Sequence, residues 1–248
     1  MERDQGAEYR QANDGKASAV NREHLVIVSE FSAIDVDPDG DLEKAFWTGA
    51  KRIRFDEAAF SRTKHSKAET LVASRWTHQY LYLAFWCHYQ SLNTYQGEDP
   101  KPERWQLWEK DVVETFINPK PDRPSHYYEF EVAPNNQWLD LEIDLTQHPF
   151  NDFHWNSGFR HETRIDAARH VWTAEMRIPV ASMAATEADS GTEWKVNFYR
   201  CDGAGSEASR RSLSWGALPL NLPEHSFHQP ASFGTLRFIA AGDAKTTP

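Results

Sequence analysis

Six segments of this chain alternate apolar and polar side chains with the period of two that an extended strand produces, and helical spacing between them is scarce. Tyr80–His88 is the clearest, with Leu81, Leu83, Phe85 and Cys87 on one face. Asp111–Asn118, Tyr127–Val132, Val171–Ile178, Trp194–Cys201 and Thr235–Ile239 repeat the pattern. Turn signals separate them at Asp39-Gly40, Asn118-Pro119, Pro134-Asn135, Ser190-Gly191 and Asp202-Gly203. The only helical candidates are the short stretches Asp41–Thr48 and Val180–Ala185. Many strands without helical crossovers imply an all-β chain, an antiparallel β-sandwich or jelly roll with short helical segments.

The 248 residues suffice for one large core, expected over residues 24–240, after a loose N-terminal extension at 1–23 and before a flexible tail at 241–248. A net charge of −10 without any Lys/Arg block argues against nucleic acid or an anionic membrane as partner. No apolar run approaches the ~18 residues of a membrane span. The N-terminus lacks the plan of a signal peptide, so the chain as written is expected in the cytoplasm, or secreted if a leader was removed. Cys87 and Cys201 both fall in predicted strands and are expected as buried thiols rather than a disulfide. Without CxxC or a Cys/His ladder, zinc is not expected.

Leu107–Ile117, LWEKDVVETFI, carries the most chemistry. Trp108 is a flat apolar plate on a polar lead-in, and Glu114 lies inside the apolar run that follows. A carboxylate there needs a partner, since burying it bare costs several kcal/mol by transfer estimates, roughly 2–7 even for neutral polar groups. Plate plus acceptor is equipment for a sugar ring. The plainer readings are that Trp108 plugs the end of the sandwich and that Glu114 salt-bridges Arg75 or Arg200. Glu114 shares parity with Val112 and Phe116 and is expected to point inward with them, whereas Asp111 falls on the opposite face. That parity argues against Asp111 and Glu114 forming a glycosidase pair. Glu129 and Glu131 share one strand face, and Asp140, Glu142 and Asp144 alternate with leucines and Ile143 as in a solvated edge strand.

Asp35, Asp37, Asp39 and Asp41 copy the first half of an EF-hand loop, with Gly40 in its sixth position, but Phe46 stands where the bidentate Glu belongs. A true EF-hand is excluded; a weak Ca²⁺ site or a simple turn remain. His225 and His228 form a close pair in a Pro-rich loop, more simply a chance spacing than a metal site. There is no GxSxG, HExxH or Gly-rich phosphate loop.

The order of segments resembles the family 9 carbohydrate-binding modules and the wider DOMON-type sandwiches. They run DPDGDLEKAFW (37–47), RWTHQYLYLAFW (75–86), LWEKDVVETFI, YYEFEVAPN (127–135), VWTAEMRIP (171–179), EWKVNFYR (193–200) and FHQPASFGTLRF (227–238). The resemblance implies noncatalytic binding of a mono- or oligosaccharide, stacked between two aromatic side chains at positions matching Trp108 and Phe227, with Glu114 bonding hydroxyls. Tyr199, Arg200, Asn197 and Glu131 are the further candidates for polar contacts. The chain departs from the family pattern where Glu131 and Ala133 replace an Arg and an Asn and where Tyr199 replaces a Gln. The polar set is rewritten around a retained platform. Phe227 has a core alternative. The family also implies structural calcium and association with xylan degradation. Two other functions stay open: a haem-binding DOMON-like cytochrome domain, whose methionine ligands could only be Met176 or Met183 apart from the start Met, and a glycoside-active enzyme using Asp or Glu in a cleft.

Overall fold

The computed structural model describes residues 25–184, 188–203, 211–220 and 226–243. The expected N-terminal extension, residues 244–248 of the expected tail, His225 and Ala185 lie outside them. The strands are β1 (Val26–Phe31), β2 (Arg52–Phe55), β3 (Thr70–Trp76), β4 (Tyr80–His88), β5 (Val112–Asn118), β6 (His126–Val132) and β7 (Trp138–Asp144). They continue with β8 (Asn151–Asp152), β9 (Arg160–Asp166), β10 (Val171–Pro179), β11 (Glu193–Asp202), β12 (Arg211–Ser214) and β13 (Gly234–Ile239). Helix is confined, among the described residues, to one α-helical turn at Val180–Met183 and short 3₁₀ turns, as at Ala45–Trp47. The fold is all-β.

Hydrogen bonding runs along one path, β8-β7-β6-β5-β11-β13-β1-β3-β4-β10-β9, with β12 beside β11 and β2 beside β3. The ladders are antiparallel except where β1 enters, parallel to both β13 and β3. An N-terminal strand paired with a C-terminal one needs no hairpin, so alternation alone could not reveal that insertion. The path folds over so that Leu81, Leu83, Phe85 and Cys87 of β4 and Trp172, Met176 and Ile178 of β10 share a core with Val113, Ile117, Phe130 and Phe198 of the β5–β6–β11 half.

Both outer faces are apolar as well. Leu42 and Trp47 cover Tyr82, Ala84 and Trp86 on the β4 side. On the β5–β6–β11 side, loop residues Ala59, Leu107 and Leu218 cover Val112, Phe116, Tyr127, Leu141, Tyr199 and Cys201. Glu114 therefore has the parity expected of it, but its face is this roofed outer one and not the interior of the sandwich. Asp140 is also not solvated: it is fully buried, and its Oδ2 accepts hydrogen bonds from Ser157 N at 2.9 Å and Ser157 Oγ at 2.5 Å.

Candidate saccharide-binding site

A cleft of about 930 Å³ opens on the roofed face of β5, β6 and β11. Its lining includes Trp108, Glu114 and Phe227, three of the residues singled out in the sequence, together with Trp105, Phe60 and Glu129. Gln106 has the left-handed φ of 63°, and Leu107–Glu109 then make a single 3₁₀ turn that brings Trp108 to the cleft. Trp105 meets Trp108 edge to face at 4.9 Å and Phe153 at 5.3 Å. Trp105 and Phe153 are among the exposed large apolar side chains, so the aromatic rim continues past the cleft into solvent.

Phe227 lines the cleft and also packs against the cluster beneath it. Its ring lies flat on Tyr199, with centroids 4.3 Å apart and planes 8° from parallel, and it also stacks on Phe60 at 5.8 Å. The Tyr199 hydroxyl donates to the Phe227 carbonyl at 2.9 Å. Tyr199 is itself fully buried, so it fixes the loop carrying Phe227 and does not line the cleft. Asn197 shares its strand face but is spent on the backbone: its Oδ1 accepts from Gly216 N at 2.7 Å. A Cβ on Gly216 would come within 2.2 Å of the Ser232 carbonyl, which explains a glycine beside Asn197.

Arg200 faces the other way. Its guanidinium donates to the Ala68 carbonyl and Thr70 Oγ1, both at 3.2 Å, and pairs with Asp202, whose second oxygen takes Arg211. All three polar side chains of Arg200, Asp202 and Asp111 are buried. Asp111 accepts from Asn93 N at 3.0 Å and Gly203 N at 2.9 Å, and burial pushes its carboxyl up to about 6. The two guanidiniums considered as partners of Glu114 hold other carboxylates: Arg75 meets Glu30 at 3.2 Å and Arg200 meets Asp202 at 2.5 Å.

The sheet beneath the cleft is acidic: Glu114 and Glu129 reach the lining, and Glu131 lies fully buried under it. In the ladders, Glu114 stands opposite both Tyr199 and Glu131, and Phe116 stands opposite Glu129. Opposed residues on one sheet face lie close, roughly 4.5–5.5 Å between Cβ atoms, so three carboxyls converge. One oxygen from each of Glu114, Glu129 and Glu131 lies within 4.8 Å of the others, and all three side chains are buried. Burial pushes Glu129 up to about 7, and burial with the neighbouring Glu114 and Glu129 charges pushes Glu131 well above the carboxylate range. These groups hold protons in the folded protein that the unfolded chain has released above about 4.5. Their contribution to stability is therefore present at low pH and lost as pH rises toward neutrality. Cys201 adds a thiol, with Sγ 3.6 Å from Glu114 Oε1.

The Asp35–Asp41 segment is held by different partners. Asp37 meets Arg160 at 3.1 Å and Arg177 at 2.7 Å, Asp41 meets Arg164 at 3.3 Å, and Asp35 accepts from the Tyr82 hydroxyl at 3.3 Å. Lys44 Nζ lies 2.9 Å from Asp39 and 2.8 Å from Glu175. Among the described residues these four carboxylates do not converge on one point. Gly40, with φ of 72°, packs against the Thr163–Arg164 backbone, where a Cβ would approach to 3.0 Å. Met176 and Met183, considered above as haem ligands, are buried in the inter-sheet core.

Residues 38–240 match the carbohydrate family 9 binding domain-like family. The chain belongs to that family. A solved protein of Bacteroides uniformis described as carbohydrate-binding superimposes with a TM-score of 0.67 at 20% identity, covering 86% of this chain and 98% of that one. A family 9 module of Caldicellulosiruptor kristjanssonii in complex with cellotriose gives 0.58 at 17% identity, covering 90% and 98%. A family 9 module of the same organism in complex with glucose gives 0.58 at 16%, covering 88% and 97%. At these identities the likeness is one of fold. A curated Arthroderma benhamiae relative, described as an extracellular protein, is 29% identical over 144 residues, which is 54% of this chain. The match spans 63% of that relative's length.

Sequence reasoning missed Phe60, Trp105 and Glu129 as cleft residues. Trp105 could have been flagged as a second indole three residues before Trp108. Glu129 shares parity with Glu131, but only the register of β5 against β6 shows that both face Glu114. Nothing local marks Phe60, whose role depends on where its loop lands.

Proposed function

We propose that this family 9 member is a noncatalytic carbohydrate-binding protein that holds a saccharide in the Trp108–Phe227 cleft. The observation that carries the reading is the joint presence of aromatic side chains and buried acceptors in one cleft. Trp108 and Phe60 stand with Phe227 around Glu114 and Glu129. A pyranose ring presents axial C–H groups on its faces and hydroxyls on its edge, and this lining answers both. Affinity is modest, because each sugar hydroxyl exchanges a water hydrogen bond for a protein one at small net gain.

The complexes of Caldicellulosiruptor family 9 modules with cellotriose and glucose support β-glucan ends as the first ligands to test, ahead of xylan fragments. Catalysis is disfavoured by the layout of the carboxyls. A glycosidase pair flanks the scissile bond with about 5–10 Å between its members. Here three carboxyls crowd one floor, within 4.8 Å of one another. Calorimetric titration with glucose, cellotriose and xylotriose, with product analysis of the same mixtures, tests this reading. Saturable binding of at least one sugar with every sugar recovered intact is the expected result; released shorter sugars would overturn it.

A further inference from the structure

Trp105 and Phe153 display their rings to solvent. Five large apolar side chains are exposed among the described residues, and only these two carry aromatic rings, at 36% and 37% exposure. Isolated exposed apolar residues are ordinary on a protein surface, whereas contiguous ones mark binding sites. These two rings touch each other, with centroids 5.3 Å apart, and Trp105 touches Trp108 at 4.9 Å. Two segments distant in sequence therefore bring their exposed rings to one edge of the same cleft.

Both rings are carried by hydrogen-bonded backbone. Arg104 N donates to the Trp138 carbonyl at 2.8 Å, which ties the segment before Trp105 to β7. Phe153 directly follows β8, whose Asn151 and Asp152 pair with Ile143 and Glu142 of β7. The two segments meet again where Asn156 Nδ2 donates to Glu103 Oε1 at 3.3 Å. The aromatic edge is thus built before a ligand arrives, and stacking on it costs little ordering entropy. His154, beside Phe153, and Asn156 are exposed and offer polar groups to hydroxyls at the same edge.

The size of the cleft points the same way. Its volume of about 930 Å³ stands near the top of the roughly 300–1,000 Å³ that drug-sized ligands occupy. A single pyranose is smaller than such a ligand and leaves room unfilled. Trp105 lines the cleft, whereas Phe153 lies outside the lining, one ring contact further out.

Resting on the saccharide reading above, we infer that the ligand is a glycan chain, with one unit beside Trp108 and the next stacked on the Trp105–Phe153 edge. A pyranose placed there covers two exposed aromatic side chains with its C–H face, so affinity grows with chain length. A monosaccharide held in the cleft gains nothing from Phe153.

The test is calorimetric titration of the full chain with glucose, cellobiose, cellotriose and cellopentaose, and with xylose and xylotriose, beside sedimentation of the same samples. Affinity is expected to rise about tenfold from a monosaccharide to its trimer, the scale of one stacked ring. Phe153→Ala is expected to remove that gain and leave monosaccharide affinity unchanged, with Tm within about 2 °C of wild type. Phe153→Leu keeps apolar bulk without a ring face and is expected to lose the gain in the same way. Equal affinity for monosaccharide and trimer in the wild type would overturn the inference and leave the saccharide reading standing. A gain that survives both substitutions would also overturn it, by placing the second unit elsewhere. A wild-type dimer that Phe153→Ala converts to monomer would overturn it by showing that the edge pairs two copies of the chain. Failure of every sugar to bind would overturn both readings.

Discussion

Trp108→Ala is expected to abolish measurable saccharide binding while the protein stays folded. The indole is only partly buried and sits on a one-turn loop segment, outside the inter-sheet core. Its removal takes apolar surface from the rim and leaves every strand ladder intact. We expect a stability loss of about 1 kcal/mol, or roughly 2–4 °C in Tm for a chain of this size. Binding responds differently. A millimolar ligand has only about 4 kcal/mol to lose. Removing a stacking plate costs about 1–3 kcal/mol in the comparable case of planar bases, enough to push such a ligand out of range. Calorimetry and thermal unfolding on the same sample check both halves. A large fall in Tm with unchanged affinity would show that Trp108 plugs the fold.

Asp202→Ala is expected to have a different profile, a large loss of stability centred on the buried Arg200. It would leave the fully buried Arg200 guanidinium without its carboxylate and would release Arg211 as well. Breaking a buried pair from one side costs about 3–5 kcal/mol, because the remaining charge stays desolvated. That corresponds to a fall of roughly 6–20 °C in Tm. Circular dichroism melts would check it, and a Tm within about 2 °C of wild type would show that Asp111 or solvent takes over the pairing.

The contrast between these residues shows how far the sequence could be read. The strands were legible because alternation in Tyr80–His88 and its counterparts reflects a physical period that tertiary contacts do not alter. Trp108 and Glu114 were legible as a plate and a buried acid. Arg200 should have been separable from Asn197 and Tyr199, since a one-residue step in a strand reverses the face. Parity cannot say which face becomes the interior when both are apolar. Val113 and Ile117 enter the inter-sheet core, while Val112 and Phe116 lie under loops, and the two sets look alike in sequence. The glutamate triad was hidden for a related reason. It exists only through the registers Glu114↔Glu131 and Phe116↔Glu129, which the hairpin between β5 and β6 sets. The spacing of the Asp35–Asp41 run does not reveal that Lys44, Arg160, Arg164 and Arg177 reach carboxylates within it.

The central claim is that the cleft beside Trp108 is where a saccharide binds. Indole N–H resonances measured by ¹⁵N NMR during a cellotriose titration test it most directly, since the ten tryptophans report from all parts of the molecule. The Trp108 and Trp105 signals are expected to shift saturably, and those of Trp172 and Trp76, buried in the inter-sheet core, to stay in place. Saturable binding that leaves the Trp108 signal unmoved would contradict the account.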